Sequence, residues 1–398
     1  MKTRLLGIAI FGITLATVIY YPHLMAKNVT PDPVDTSLTH VIANQRPRVD
    51  VVFVLDTTGS MGGLIQTAKE KIWSIASTMA SAQQTPDIRI GLVAYRDHGD
   101  AYVTKVVDLS SDLDSVYATL MDFEANGGGD GPESVNKALY DAVHSMSWSQ
   151  DKQAYQAIFL VGDAPPHMDY NEVRYPEIVA EARKKGIVIN AIQCGELAMT
   201  VEPWTQIASL GHGSYFQVEQ AGGAVAFATP FDAEIAELSA QLDDTRLYYG
   251  SREEQQKMHD KMAATTKLHD SASTSSLARR GTFNASAAGK SNMLGEKELV
   301  AAVASGAVDV ASLEEDALPE VLKPMSAPAQ KAYVAELAEK RDDLTRQIAE
   351  RAKDRDEYLA KKVEEAGGLK DSLDQQLFDA VKEQARAVGL EYKDGPTY

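Results

Sequence analysis

The chain reads as an α/β protein: a doubly wound, mostly parallel sheet followed by an α-helical C-terminal region. Three observations predict this. Short apolar runs rich in β-branched residues recur over residues 48–242. Stretches of helical periodicity alternate with them, the pattern of a parallel sheet covered on both faces. Beyond Leu242 the strand-like runs stop and helical periodicity alone continues.

At the N-terminus, Lys2 and Arg4 precede an almost uninterrupted apolar run from Leu5 to Tyr21, and Leu24-Met25-Ala26 offers a small-residue cleavage site. Residues 1–26 therefore read as an export signal. The run is about one turn short of a comfortable membrane span, yet uncleaved it would act as an inner-membrane anchor with its basic end inside. Either way the remaining chain is expected outside the cytoplasm, in the periplasm or anchored facing it. Residues 27–47, with Pro31, Pro33 and Pro47, read as a tether.

Within 48–242, buried strands are expected at Val51–Leu55, Ile88–Tyr95, Ala157–Val161 and Ile187–Ile192, with further strands at Tyr102–Val107 and Ser214–Val218. Leu64, Ala68, Ile72, Ile75 and Met79 recur at helical spacing between Leu64 and Ala82, and Ser134–Met146, Glu172–Lys185 and Val225–Leu242 behave alike. Residues 243–293 read as a polar helix, Tyr248 to Lys267, and a flexible linker, because 269–292 are rich in Ser, Ala, Gly and Thr. Arg279-Arg280-Gly281 reads there as a solvated basic spot. Residues 294–398 read as helical. Short helices lead to a long charged one, Pro328 to Ala366, with Tyr333, Leu337, Leu344, Ile348, Ala352, Leu359 and Val363 on one stripe. Gly367-Gly368 breaks it, and Leu373, Leu377, Phe378, Val381 and Ala385 mark a second helix. The two suit a helical hairpin or pairing with a partner. The heptads are irregular for a coiled coil, with Lys340 and Arg351 near the seam.

The composition, 44% hydrophobic and 24% charged, is that of a folded protein, and the formal net charge is −18. Such a surface disfavours unaided binding to nucleic acid or anionic lipid. Cys194 is the one cysteine, which excludes an internal disulfide and a cysteine metal cluster; its place near a strand end suits core packing. No Gly-x-x-x-x-Gly-Lys-Ser/Thr phosphate loop, kinase signature or Gly-x-Ser-x-Gly elbow is present.

The most informative stretch is Asp56-Thr57-Thr58-Gly59-Ser60, directly after Val51–Leu55. Asp56, Thr58 and Ser60 alternate where the strand ends, so their oxygens can converge above the sheet edge. Hard oxygen ligands suit Mg2+, Mn2+ or Ca2+. Alone, Thr58 and Ser60 read equally as helix caps. Asn126-Gly127-Gly128-Gly129-Asp130-Gly131-Pro132-Glu133 precedes a helix, and Val161-Gly162-Asp163-Ala164-Pro165-Pro166-His167 follows a strand. Singly, Asp130 and Glu133 suit a helix start and Asp163 a turn. Jointly, the three loops place carboxylates at one sheet edge, where they repel unless a cation neutralises them.

These residues resemble the metal-ion-dependent adhesion site of von Willebrand factor type A (VWA) domains, which begins Asp-x-Ser-x-Ser; here it is Asp56-x-Thr58-x-Ser60. Many members supply a Thr after Gly-Gly. Here Asp130 follows, and Asp130-Gly131-Pro132-Glu133 looks more like the loop of integrin beta subunits, whose Glu reaches the metal. The resemblance implies Glu133 as a ligand, Asp130 as an inner or outer ligand, and Asp163 acting through water. Met61-Gly62-Gly63 stands where integrin beta subunits carry acids for an adjacent calcium, so that second site is not expected. The resemblance covers about residues 48–242 and implies a Rossmann-like VWA fold; the helical half looks like the extensions of some bacterial exported proteins of this type. The implied function is a divalent-cation-dependent protein-binding module, not an enzyme, with a partner's Asp or Glu carboxylate completing the metal shell. Family domains can couple coordination to a shift of their last helix, here about Val225–Leu242. Two alternatives stay open. One is a scaffold with a purely structural metal that binds through its C-terminal helices. The other is a metal-assisted hydrolase with His167 or His98 as base, although each reads equally as a hydrogen-bonding loop residue.

Overall fold

The run Val51–Leu55 can be buried on both faces only inside a sheet, and Arg48–Asp56 is the central strand, β1. The computed structural model describes residues 46–129, 131–218, 228–365 and 373–392. The other strands are β2 (Asp87–Tyr95), β3 (Thr104–Ser110), β4 (Tyr155–Gly162), β5 (Val188–Cys194) and β6 (His212–Val218). They lie in the order β3-β2-β1-β4-β5-β6. β3 pairs antiparallel with β2, and every other pairing is parallel. All six expected strands are present. The order reverses between β1 and β4, where doubly wound sheets bind ligands. Register sets Leu55 beside Val161, so β1 and β4 end side by side.

Alternation along β1 divides the core. Val51, Phe53 and Leu55 pack with Trp73 and Met79 of α1 (Gly62–Ala80) and Tyr117 of α2 (Leu113–Met121). Val52 and Val54 pack with Leu139 of α3 (Val135–His144), Ile178 of α4 (Tyr175–Lys185) and Trp204 of α5 (Ala198–Leu210). Pro176 opens α4, and Gly186, at φ 81°, closes it in the left-handed conformation. Sequence periodicity misses α2 and α5. The first is nine residues long, and the second carries Pro203, normally a breaker.

The stretch 269–292 is not a flexible linker. After α6 (Asp232–Asp243) and α7 (Arg252–Ser271), it forms most of α8 (Thr274–Ala285) and α9 (Ala287–Leu294). Its small residues permit close packing: a Cβ on Gly281 would stand 2.9 Å from Ser239 Cβ on α6. Arg279 and Arg280 are buried rather than solvated. Arg280 Nη2 donates to Asp114 Oδ2 at 2.6 Å and Nη1 to Asp243 Oδ2 at 2.7 Å. Charge pairing, which composition does not reveal, fixes this segment.

The C-terminal helices also differ from expectation. α10 (Leu299–Ala304) leads through two short turns to α11 (Ala327–Glu365). The α11 stripe packs on α6 and α10, and it contains the buried Arg341 and Arg355. Arg341 makes two 2.9 Å bonds to Glu298, and Arg355 Nε bonds Asp232 Oδ1 at 2.9 Å. Lys340 points to solvent, and Arg351 pairs with Glu234 and Asp354. α12 (Leu373–Arg386) lies against β6 and places Leu377, Phe378, Val381 and Ala385 in the core of the α1 face. The helix expected to end the sheet domain, described from Asp232 as α6, instead joins α8, α9 and α11 through Ile235, Leu238 and Leu242. Arg46–Tyr398 is thus one compact unit, not a sheet domain with a separate tail. The expected signal or anchor, and the tether up to residue 45, lie outside the described residues. Among the described residues no helix is long and apolar enough to cross a membrane.

Candidate functional site

Asp56 is the last residue of β1 and is fully buried. The backbone N–H of Thr58 donates to Asp56 Oδ1 at 2.9 Å, and the Thr58 hydroxyl donates to the same oxygen at 2.6 Å. Thr58 Oγ1 lies 3.2 Å from Ser60 Oγ. The Thr58 hydroxyl serves the carboxylate, since Thr58 makes no side-chain cap bond to the following turn. Asp56 Oδ2 makes no hydrogen bond of good geometry with the described residues.

The loops are stitched together by backbone bonds. Gly59 N donates to Gly127 O at 3.1 Å, and Asn126 N to Thr57 O at 3.0 Å. Glu133 N donates to Pro165 O at 2.9 Å, and His167 N to Glu133 O at 3.1 Å, which ties the second loop to the third. Gly128, at φ +75°, sits between the first loop and Glu133: a Cβ there would lie 3.3 Å from Thr58 Cβ and 3.2 Å from Glu133 Oε1. Thr200 Oγ1 holds the Asp163 carbonyl at 3.0 Å. Glu133 and Asp163 are both buried, and with Ser60 they line a cleft of about 270 Å³ whose other walls include Cys194, Glu196 and Leu197. The structure therefore brings Asp56, Thr58, Ser60, Glu133 and Asp163 to one sheet edge. Asp130 lies outside the described residues.

Electrostatics follow from burial. Desolvation pushes the Asp56 carboxyl up to about 7; the nearby Asp163 adds to this, while the Thr58 bonds and the Asp163 backbone N–H pull it partly back. Burial also raises Asp163, with a hydrogen bond from Ser60 opposing it. Burial pushes the Cys194 thiol well up, as suits packing rather than reactivity. The donors are all hard oxygens. Among the described residues no group of three His, Cys, Asp or Glu side chains is gathered closely enough to hold a metal alone, so the hydroxyls would share that task.

Sequence reading missed the supports from β2. Arg96 Nε donates to Thr57 O at 3.1 Å and Asp100 Oδ2 accepts from Gly128 N at 3.0 Å. Asp97 accepts from Ser134 Oγ at 2.9 Å and from the Tyr170 hydroxyl at 2.9 Å, and lies 3.3 Å from His167 Nε2. The available signal was position, since Arg96–Asp100 follows β2 at the same edge as Asp56. His167 also bonds Asp169 at 2.9 Å and stacks on Tyr170, whose other neighbour is the exposed His98.

Residues 50–230 match a family model described as the von Willebrand factor A domain. A rat protein named von Willebrand factor A domain-containing protein 7 is 34% identical over 138 residues, which is 34% of this chain and 14% of that protein. A putative ariadne-like RING finger protein of Acanthamoeba polyphaga mimivirus is 29% identical over 126 residues, 31% of this chain and 12% of its own length. This chain thus spans about a fifth or less of the length of the curated relatives it matches. Among solved structures, the conserved hypothetical protein BatB of Bacteroides thetaiotaomicron aligns with TM-score 0.33 and 17% identity over 43% of this chain and 90% of that one.

Proposed function

Because the chain carries a von Willebrand factor A domain over residues 50–230, we propose that it is a protein-interaction module whose grip on its partner depends on a divalent cation. Asp56, Thr58, Ser60, Glu133 and Asp163 would hold Mg2+, or Mn2+ or Ca2+, with Asp130 as a further ligand. A bound ion supplies a partly neutralised positive centre that attracts a carboxylate from outside. The partner would present that Asp or Glu, and the protein would act outside the cytoplasm, in the periplasm or at the inner membrane.

One observation carries the reading. Asp56 Oδ2 is buried without a well-placed donor, beside a second buried acid, Asp163. A buried carboxylate in that position is costly unless protonated or neutralised. Thr58 fixes the other oxygen and so orients the carboxylate. The stitched loops set Glu133 and Asp163 from separate elements around the same cleft. The scaffold alternative is less favoured, because the stripes of α11 and α12 are spent on packing within the chain. No observation singles out a hydrolase: His167 contacts Asp97 and Asp169 and His98 lies against Tyr170, which suits a structural loop histidine as well as a base.

The test is a pull-down from the native envelope with Mg2+ or with chelator, using wild type and Asp56→Ala. Partners should be retained by wild type with Mg2+ and lost in the other conditions while the protein stays folded. Identical partner sets throughout would overturn the proposal.

A further inference from the structure

At the opposite end of the sheet, where the chain runs into β4 and β5, a cleft of about 690 Å³ lies between residues 146–154 and the last turn of α4. Its cations come from both walls: Lys152 from the loop, and Arg183, Lys184 and Lys185 from the helix end, against one acid, Asp151. Four cations thus face one carboxylate in a chain of formal net charge −18.

Helix C-termini favour basic residues, and this accounts for Lys185, whose Nζ donates to Val143 O at 2.7 Å near the end of α3. It does not account for Lys152, which belongs to a different element and serves no helix end. Lys152, Arg183 and Lys184 are exposed, and their side chains make no ion pair with the described residues. Arg48, Arg89 and Arg341, by contrast, pair with Asp87, Asp50 and Glu298.

The cleft is also pre-formed. Ser147 N donates to Asp108 Oδ1 at 2.7 Å, Ser149 N to Asp50 Oδ2 at 2.8 Å, and Trp148 Nε1 to Ala142 O at 2.8 Å. Gln156 Nε2 donates to Ser149 O at 2.6 Å, and the left-handed Gly186 fixes the opposite wall. Like charges held on two fixed walls gain from an anion placed between them.

We propose that this cleft binds a polyanion, a ligand with two or more phosphate or carboxylate groups that meet Lys152 on one wall and Arg183 and Lys184 on the other. Its volume falls within the range of small-ligand sites, on the order of 300–1,000 Å³, and would leave a single phosphate loosely held. The acidic remainder of the surface repels anions, so the attraction must come from the cations of this cleft and should strengthen as salt screens that repulsion. The site is independent of the carboxylate cluster at the other end of the sheet.

The test is calorimetric titration of the full chain with inorganic triphosphate and, separately, with a hexaglutamate peptide. Both are run in chelator, so that a metal ion at the carboxylate end takes no part. Saturable binding of either probe is expected, and the preferred probe identifies the anionic group. Lys152→Ala with Lys184→Ala should weaken binding about tenfold or more. Lys340→Ala with Lys361→Ala, both exposed on α11, should leave it unchanged. Absence of saturable binding by both probes, or equal weakening in the two double variants, would overturn the proposal.

Discussion

Asp56 shows how one side chain connects burial with function. Its carboxyl is pushed up to about 7, first by burial and then by Asp163, from an ordinary value of 3.8. A folded pKa above the unfolded one means that the folded state holds its proton more tightly. The associated stability is complete below the ordinary value and is lost as pH rises through about 7, by about 4 kcal/mol at most. In chelator, the urea midpoint should therefore fall between about pH 4 and about pH 7 and level off above. Mg2+ should restore it at the upper end, and Asp56→Asn should remove the rescue and most of the slope, leaving the part that the raised Asp163 contributes. A wild-type midpoint in chelator that is flat with pH would contradict this account. Asp56, Thr58, Ser60, Glu133 and Asp163 were legible because strand ends and their oxygen-bearing loops can be read in order. The parts played by Arg96, Asp97 and Asp100 were not, because they act on loops of other strands through contacts that no local spacing encodes.

At the scale of elements, legibility followed the kind of force that buries each one. β1 and β4 are apolar on both faces, so their sequences announce them. α8 is buried through Arg280, whose partners Asp114 and Asp243 come from α2 and α6, and its Ser-, Gly- and Arg-containing sequence looks solvated. The neighbouring guanidinium holds both carboxyls below the usual carboxylate range despite their burial. Arg280→Ala would leave two buried carboxylates without this counterion, a change that costs about 3–5 kcal/mol. Arg351→Ala, on the rim of α11, removes solvent-screened pairs to Glu234 and Asp354 and should change stability far less. Urea denaturation of the two variants measures this contrast, and equal losses would show that the buried pairs do not hold α8 in place.

For the whole molecule, the order of the chain is not the order of its core. The sheet is complete by Val218, yet the β6 side of its α1 face is covered by α12, which begins at Leu373. Leu377, Phe378, Val381 and Ala385 share a core with Phe53 and Phe159 of the central strands. Gln384 adds polar locks, accepting from the Tyr155 hydroxyl at 2.7 Å and donating to Asn190 Oδ1 at 2.8 Å. Burying a large apolar side chain contributes about 1.5–3 kcal/mol. Loss of Leu377, Phe378 and Val381 alone would therefore remove about 5–9 kcal/mol, comparable with the whole stability of a typical domain. After Val218 the chain returns to this core more than once, through Leu268, Phe283 and Ala288 of α7, α8 and α9 and finally through α12. Residues 46–398 should unfold in a single thermal transition, whereas a chain stopped after Glu365 should lose cooperative melting and bind a hydrophobic dye. A chain stopped at Asp243 should fare no better, despite containing every strand and all the candidate metal ligands. Cooperative, native-like melting of the Asp243 fragment would mean that the sheet sustains itself and that α12 is only an ornament on it. If the fragment fails as expected, cation affinity at Asp56 and an intact C-terminal helix become one thermodynamic property, because both require the same folded sheet.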